Sequence, residues 1–394
     1  QEIMITIVHS RWGEFIEEVS TQLKERKELK FSTGNEENTK NKLEINVYNI
    51  YHNQIGFLLK NFKKDRLPEF INTLNENTKV PFYYNKIPVF LNASIGVAQY
   101  RAKDKGVDFL QNAYQALISA EETEKEVAIY KETLKEENQE NFFLLGEARK
   151  ALDKDQFLLK YLPKINLHTG RIVGIEALIR WEHPQRGFIS PGRFIPQIEK
   201  TALINKLSLW VLNKASKDML LLINNGINLE MAINITPNNL KRDNFVGDIN
   251  KIIRDESLSS SQFELELTET DLMEELKKGQ KSINHLIKKG FKISMDDFGT
   301  GYSSLKYLKN LNFDSIKIDL TFVQEMQKDE KSYEIVKTAI RLGHVLDKKV
   351  VAEGIETKEV MNELKKLNCD YGQGFYFSKP ISIREFIDFY QNWN

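Results

Sequence analysis

The second part of the chain alternates short apolar segments with longer amphipathic ones. Residues 203–225 and 333–347, for example, carry apolar side chains three and four positions apart, which is the helical period. The short segments are predicted strands at 157–162, 172–179, 230–235, 263–268, 292–296, 315–319, 349–353 and 374–377. Strands that alternate with helices form parallel sheets, and eight such units in about 240 residues predict a closed (β/α)8 barrel of the α/β class.

The first two predicted barrel strands are separated only by residues 166–171, which are too few for a helix. We therefore expect this pair to be an antiparallel hairpin, a departure from the ideal TIM-like barrel. The region before the barrel differs in character, because it holds only five of the 20 glycines. A predicted strand at 126–130 and a polar stretch after it place the domain boundary there. We expect a smaller α+β domain at 1–131, a linker at 132–140 and the barrel at 141–394.

Composition narrows the classes of function. Lys and Arg together number 56, as do Asp and Glu, so the net charge is zero and general binding to a nucleic acid polymer is not expected. The single cysteine, Cys369, excludes a disulfide framework and a cysteine-based metal cluster. No apolar run approaches the ~20 residues of a membrane span. We expect a cytoplasmic protein, and the first residue, Gln1, is compatible with the cytosolic part of a longer sensor protein.

Polar side chains recur near the carboxyl ends of the predicted strands, where barrel enzymes carry their chemistry. They are Glu176, Asn234, Glu266, Asp296, Asp297, Lys317, Asp319, Glu353 and Gln373. A solvated rim or a salt bridge would explain any one of them. Carboxylates that converge on one barrel mouth, however, repel each other by ~4 kcal/mol per pair at ~4 Å and an effective dielectric constant of ~20. Lys317 alone cannot neutralise that repulsion.

Two divalent cations could neutralise the cluster. Oxygen ligands that include an Asn carbonyl favour Mg²⁺ or Mn²⁺ over zinc. The adjacent Asp296 and Asp297 are suited to two ions, the first residue bridging them and the second holding the outer ion. Paired ions about 3.5–4 Å apart stabilise the entering and leaving oxygens of a phosphoryl displacement. The residues alone therefore predict metal-dependent hydrolysis of a phosphate ester or diester.

The segments that carry these residues closely resemble the motifs of the EAL-type cyclic-di-GMP phosphodiesterases. In chain order they are EALIRWEHP at 176–184, FIP at 194–196, NIT at 234–236, ELTE at 266–269, DDFGTGYSSL at 296–305, KID at 317–319, EGIE at 353–356 and QG at 373–374. They follow the family's order across residues 141–394. The resemblance implies an enzyme that opens cyclic di-GMP to the linear dinucleotide pGpG.

The resemblance also implies a role for each site residue. The implied ligands of one metal ion are Glu176, Asn234, Glu266 and Asp296. The second ion would be bound by Asp296 and Asp297, with Glu353 reaching it directly or through water. Glu176 would thus serve catalysis through its ion. Lys317 would orient or activate the attacking water, and Glu353 is the competing candidate for the general base. The implied substrate contacts are Leu178, Arg180, Asp319, Glu356 and Gln373. Glu269 matches the glutamate that anchors a mobile loop at 298–305.

The family pattern leaves two questions for this chain. Leu162 stands where the family usually has glutamine, so we expect weaker affinity or altered packing there without loss of the chemistry. The alternative function is a receptor that binds cyclic di-GMP without cleaving it. Such receptors usually lack several metal ligands or the intact loop, and this sequence has all of them. Because that loop is thought to link dimerisation with metal binding, we expect a homodimer through the EAL domain.

Residues 1–131 resemble, less strongly, the last two-thirds of a GGDEF (diguanylate cyclase) domain. A helix at 8–27 would precede the signature hairpin, and LNASIGVA at 91–98 matches a later strand. When Phe57 is aligned with the signature phenylalanine, the signature is NQIGF at 53–57. The paired glycines and the acidic residues are missing, so we expect a degenerate domain that dimerises or transmits a signal. GTP is a further, weakly supported partner of this domain.

Overall fold

The computed structural model describes residues 3–8, 44–51, 54–84, 87–89, 93–100, 106–122, 125–242, 244–272, 281–300, 308 and 311–393. Its contacts divide the chain into two units, Gln1–Phe142 and Phe143–Asn394. Most of the helix predicted at 8–27 lies outside the described residues. Val8, its first residue, ends a strand instead. Among the described residues, none of the helices has the combined length and apolar character needed to cross a lipid bilayer.

The first unit is built on a five-stranded sheet. Its elements are β1 (Ile3–Val8), β2 (Glu44–Tyr51), β3 (Gln54–Lys60), a 3-10 turn (Lys64–Arg66), α1 (Leu67–Lys79), β4 (Phe82–Tyr84), β5 (Ile87–Val89), β6 (Ser94–Gln99), α2 (Gly106–Glu122) and β7 (Val127–Ile129). The strand order is β2-β3-β1-β6-β7, and β4 pairs with β5 separately. β6 and β7 confirm the strands predicted at 91–98 and 126–130.

Gly96 brings β6 very close to α2. A Cβ atom on Gly96 would lie 2.3 Å from the backbone nitrogen of Leu117 and 2.4 Å from the carbonyl oxygen of Ala113. Since both contacts are with backbone, no side-chain rotation could relieve them. The close packing of strand and helix therefore depends on the absence of a side chain at this position.

The Gly96→Ala substitution is accordingly expected to destabilise the first unit by about 1–3 kcal/mol, the usual cost of overpacking. Hydrogen exchange at the amides of β6 and α2 measures the effect locally, and those amides should exchange faster in the variant. Gly146→Ala is the matched control, because nothing lies within 4 Å of a Cβ atom there. Unchanged protection in Gly96→Ala would contradict the packing described here.

A single helix, α3 (Glu132–Asp153), includes the point where the chain divides into two units. The segment 132–140, predicted as a linker, forms its first turns. The backbone of this segment is therefore helical. Its polar composition does not by itself indicate a helix.

The second unit is a closed eight-stranded barrel surrounded by helices. Its elements are β8 (Phe157–Asn166), β9 (Ile172–His183), β10 (Gly187–Ile189), α4 (Pro191–Glu199), α5 (Leu203–Asn224), β11 (Glu230–Asn234), α6 (Pro237–Leu240), α7 (Phe245–Asp255), a 3-10 turn (Ser260–Gln262), β12 (Phe263–Thr268), α8 (Lys281–Lys288), β13 (Lys292–Phe298), β14 (Ser315–Ile318), α9 (Leu320–Glu325), α10 (Glu330–Val345), β15 (Lys349–Ala352), α11 (Lys358–Lys366), β16 (Tyr371–Gly372) and α12 (Ile383–Gln391).

The barrel strands follow the order β8-β9-β11-β12-β13-β14-β15-β16, and β16 pairs with β8 to close the ring. β8 runs antiparallel to both of its neighbours, whereas the other strands of the ring are parallel. The predicted barrel and its antiparallel first pair are therefore confirmed. β10 pairs with β9 outside the ring.

The predicted position of the eighth strand is wrong. The strand is β16, and the apolar segment 374–377 that follows it is a turn. Gly374 has φ of +154°, and a Cβ atom there would lie 2.3 Å from the backbone of Ile355. Phe375 is 57% exposed. The apolar run therefore resembles a buried strand in composition, although Phe375 and Tyr376 are exposed and only Phe377 packs against the core.

Alternation of side chains within the strands separates the core from the site. In β12, Phe263, Leu265 and Leu267 pack in the hydrophobic core. Glu264 and Glu266 lie between them in the sequence and therefore point to the opposite face, which is the barrel interior. The strand thus contributes apolar packing on one face and carboxylates on the other.

Candidate active site

The carboxylates predicted to converge do so at the carboxyl ends of the parallel strands. The register of the strands aligns these side chains. Asn234 in β11 lies opposite Glu266 in β12, and Ala232 in β11 lies opposite Glu176 in β9. Glu353 directly follows β15 and continues its ladder, since the Glu353 backbone N–H donates to the carbonyl of Ile318 at 3.2 Å. The strand register therefore places these side chains at similar levels along the barrel axis, near its mouth.

Lys317 lies at the centre of the cluster and is buried. Its ammonium nitrogen is 2.7 Å from Glu353 Oε1, 2.8 Å from Glu266 Oε2, 3.3 Å from Asp296 Oδ1 and 3.4 Å from Glu176 Oε2. One positive charge thus contacts four carboxylates. Holding all four carboxyl groups ionised in a buried place is costly unless further cations bind.

Two amide side chains complete the cluster. Gln373 Nε2 donates to Glu176 Oε2 at 2.6 Å and to Glu353 Oε1 at 3.0 Å. Asn234 Nδ2 donates to Glu176 Oε1 at 3.2 Å, which leaves the Asn234 carbonyl oxygen available as a ligand. Both oxygens of Glu176 are therefore held in place by donors from other strands.

Burial and mutual repulsion shift the pKa values of this cluster. Burial, then the neighbouring carboxylates, raise the pKa of Glu266 well above its usual range. Burial is also the main cause that raises the pKa of Glu353 to about 8 and that of Asp297 to about 6. Burial alone would raise the pKa of Glu176, but the Lys317 ammonium and the amide donors lower it overall. The surrounding carboxylates hold the pKa of Lys317 well above its usual value, against the effect of burial.

The residues present suit divalent cations. Asp296, Asp297 and Glu353 each offer an oxygen, and these oxygens lie within 4.8 Å of one another. Among the described residues, Glu266 Oε1 and Gln373 Oε1 are buried without a hydrogen-bond partner. An orphaned carboxylate oxygen next to other carboxylates is readily explained by a cation that it would bind. All of these ligand atoms are oxygens, as hard divalent cations prefer.

Asp297 has a backbone conformation that the sequence does not disclose. Its φ is +53°, which is uncommon for a residue other than glycine. Its backbone N–H donates to Asp296 Oδ1 at 3.0 Å. Such strain is concentrated at functional sites, where it turns a side chain in a required direction.

Glu269, which directly follows β12, contacts the start of the predicted loop at 298–305. Its Oε2 accepts a hydrogen bond from the backbone N–H of Gly299 at 2.9 Å, and it is buried. Residues 301–307 lie outside the described part of the chain. The contact with Gly299 is the one expected of an anchor for the start of that loop.

The predicted substrate contacts lie in different places: two line a cavity, two make other contacts and one belongs to the cluster. Leu178 and Arg180 line a cavity of about 550 Å³ beside the cluster, together with Asn234. Asp319 instead caps α9, since its Oδ1 accepts from the backbone N–H of Thr321 at 2.9 Å. Glu356 Oε1 accepts from Gln324 Nε2 at 2.9 Å. Gln373, as described, belongs to the cluster itself.

Sequence reasoning missed a buried ion pair beneath the cluster, formed by Lys164 and Glu264. The signal for Glu264 was present, because it precedes Glu266 by two positions in the same strand and must share its face. Its partner could not be inferred, since Lys164 lies a hundred residues earlier in the chain.

Comparisons with known proteins agree with this site. The family model described as EAL domain matches residues 146–380, more than half of the chain. The bifunctional diguanylate cyclase/cyclic di-GMP phosphodiesterase MucR of Pseudomonas aeruginosa is 34% identical over 310 residues, covering 78% of this chain and 45% of the relative. The cyclic di-GMP phosphodiesterase PA2567 of the same species is 31% identical over 350 residues, covering 88% of this chain and 59% of the relative.

A solved structure is similar as well. The PaMucR phosphodiesterase in complex with c-di-GMP matches with a TM-score of 0.60 and 38% identity, covering 62% of this chain and 99% of that chain. The chain spans about half the length of the two relatives above. With its barrel, its ordered motifs and its carboxylate cluster, the chain belongs to the EAL domain family.

Proposed function

We propose that the barrel hydrolyses cyclic di-GMP to linear pGpG in a reaction that requires divalent cations. The observation that carries this proposal is the cluster itself, in which four carboxylates surround the Lys317 ammonium within 3.4 Å. Relatives whose names describe cyclic di-GMP phosphodiesterases support the choice of substrate.

Two Mg²⁺ or Mn²⁺ ions are the proposed cofactors. The residues that would hold one ion are Glu176, Asn234, Glu266 and Asp296. Asp296 and Asp297 would hold the other, which Glu353 would reach directly or through water. When bound, such ions stabilise charge on the phosphate oxygens and lower the pKa of water.

Lys317 and Glu353 are the two residues proposed to orient or activate the attacking water. They lie 2.7 Å apart at Nζ and Oε1. The Glu353 carboxylate, beside the proposed ions, offers an oxygen that can accept a proton as a general base. Lys317 Nζ is a donor and would orient the water by a hydrogen bond. Gln373 fixes the Glu353 carboxylate through its bond of 3.0 Å.

The cavity of about 550 Å³ is the proposed place for part of the substrate. Its walls are mostly apolar and suit the faces of a nucleobase, and the Arg180 guanidinium beside them suits a phosphate. Leu162 is buried opposite Glu176 in the β8–β9 register. An apolar side chain there removes one amide contact and leaves the proposed metal ligands in place.

Incubation of the purified protein with cyclic di-GMP and Mg²⁺ or Mn²⁺, followed by chromatography of the nucleotides, tests this function. We expect pGpG as the product, and its formation should stop when EDTA removes the cations. Tight binding of cyclic di-GMP without any product, in the presence of either cation, would contradict the proposal and favour the receptor.

The barrel is further proposed to act as a homodimer in the cytoplasm, and sedimentation analysis tests the dimer.

We further propose that the first unit is a degenerate GGDEF domain that regulates or dimerises the protein. β2 and β3 form an antiparallel hairpin at the place of the signature motif. Ile55, which stands where an active domain would present the signature aspartate, is fully buried and serves the core. Phe57, at the signature phenylalanine, is buried as well. GTP is proposed as a ligand of this unit, and equilibrium dialysis with GTP tests it.

The variant Asn53→Gly with Gln54→Gly should not produce cyclic di-GMP from GTP. The two glycines would restore backbone access, yet the acidic residues of the signature would still be missing. The assay measures labelled cyclic di-GMP and labelled pGpG together after incubation with GTP and Mg²⁺, because the barrel would convert the first into the second, and an active diguanylate cyclase is the positive control. Synthesis by the variant would contradict the assignment of an inactive domain.

A further inference from the structure

A second layer of charged side chains lies inside the barrel below the carboxylate cluster. Glu264 points to the interior two positions deeper in β12 than Glu266. Lys164 lies in β8, two positions deeper than the residue paired with Glu176. The two side chains form an ion pair across the barrel interior and are only 7% and 4% exposed.

The contacts of this pair keep both members charged. The Ser315 hydroxyl donates to Glu264 Oε1 at 2.5 Å and lies 2.8 Å from Ser294 Oγ. The Glu264 carboxylate thus accepts hydrogen bonds from both the Lys164 ammonium and the Ser315 hydroxyl. The Lys164 ammonium lies in the layer directly below Glu266.

Stability alone does not account for such a pair. A buried ion pair usually gives little or no net stability compared with well-packed apolar residues, because removing two charges from water is costly. An uncompensated ammonium at position 164 would, however, place a positive charge directly below the carboxylates. The Glu264 carboxylate neutralises the Lys164 ammonium by direct contact.

We propose that Glu264 preserves the affinity of the carboxylate cluster for divalent cations by neutralising the Lys164 ammonium beneath it. Lys164 lies in the layer below Glu266, and the Glu264 carboxylate prevents its charge from repelling the cations. This inference rests on the proposed function insofar as the cluster binds cations. It assigns a role to two residues that lie outside the proposed ligand set.

Titration calorimetry of the full chain with Mn²⁺ tests the pair without any measurement of turnover. Glu264→Gln keeps the shape of the side chain and leaves Lys164 uncompensated, so we expect at least about tenfold weaker Mn²⁺ binding. Lys164→Met breaks the same pair but removes the positive charge, and its Mn²⁺ affinity should equal or exceed that of the original chain. The double variant should bind within about threefold of the original chain.

Opposite effects of the two single variants distinguish charge from structure, because a merely structural role would weaken Mn²⁺ binding in both. Equal losses, or no loss in Glu264→Gln, would overturn the inference. Circular dichroism checks the fold of each variant. If Glu264→Gln does not fold, a tenfold loss in Lys164→Met would contradict the proposal and retained affinity would support it. Mn²⁺ binding by the original chain and its loss in Glu176→Ala test the proposed function separately.

Discussion

The Glu176→Ala variant is expected to lose more than ~100-fold in turnover of cyclic di-GMP. Loss of a residue that merely supports a metal ligand typically costs 10–100-fold, and Glu176 is proposed as a ligand itself. Its two oxygens also accept hydrogen bonds from Asn234 and Gln373, so the substitution removes partners from both amides. Initial rates of pGpG formation at saturating cation measure the effect.

Glu230→Ala is the matched control for this variant. Glu230 is a glutamate on a neighbouring barrel strand, but it pairs with Lys292 and its side chain is 42% exposed. An exposed pair contributes about 1 kcal/mol or less, so turnover should stay close to that of the original chain. Turnover by Glu176→Ala at the rate of Glu230→Ala would reject the role assigned to Glu176.

The Lys317→Met variant should also lose turnover, by about 10²–10⁴-fold, the usual contribution of a group that moves or orients a proton. Its Mn²⁺ affinity, in contrast, should be retained or tighter, because the positive charge among four carboxylates is removed. Rates of pGpG formation and calorimetric titration with Mn²⁺ measure the two quantities on the same preparation.

Lys349→Met serves as the control for this second variant. Lys349 begins β15, is exposed and pairs with Asp370. It should change neither quantity. Comparison with Glu353→Gln addresses the choice of base, since the true base should show the larger loss at constant Mn²⁺ occupancy. A Lys317→Met variant that lost cation binding in proportion to its activity would contradict a direct role of Lys317 in the reaction.

Most of the barrel could be predicted because its strands and helices have regular side-chain periods. Alternation in β12 and the helical spacing within α5 and α10 are local properties of the sequence. The eighth strand could not be placed in this way. Its two residues are too few to show a period, and the apolar run after it turns away at Gly374.

The candidate site was predictable to the extent that topology alone brings side chains together. Parallel strands end at the same rim, so Glu176, Glu266 and Asp296 had to be neighbours once the barrel was assumed. The positive φ of Asp297 and the ion pair of Lys164 with Glu264 depend on closure of the barrel and on distances across it. The spacing of residues along the sequence does not show which side chains will face each other across the barrel interior.

Anomalous diffraction at the manganese edge, from crystals of the protein grown with Mn²⁺, examines the site most directly. Two peaks are expected at the barrel mouth. One should lie within bonding distance of Glu176 and Glu266, and the other near Asp297 and Glu353, with Asp296 between them. Crystals that showed no peak there, with the four carboxylates still gathered around the Lys317 ammonium, would contradict the claim that this rim is a cation site.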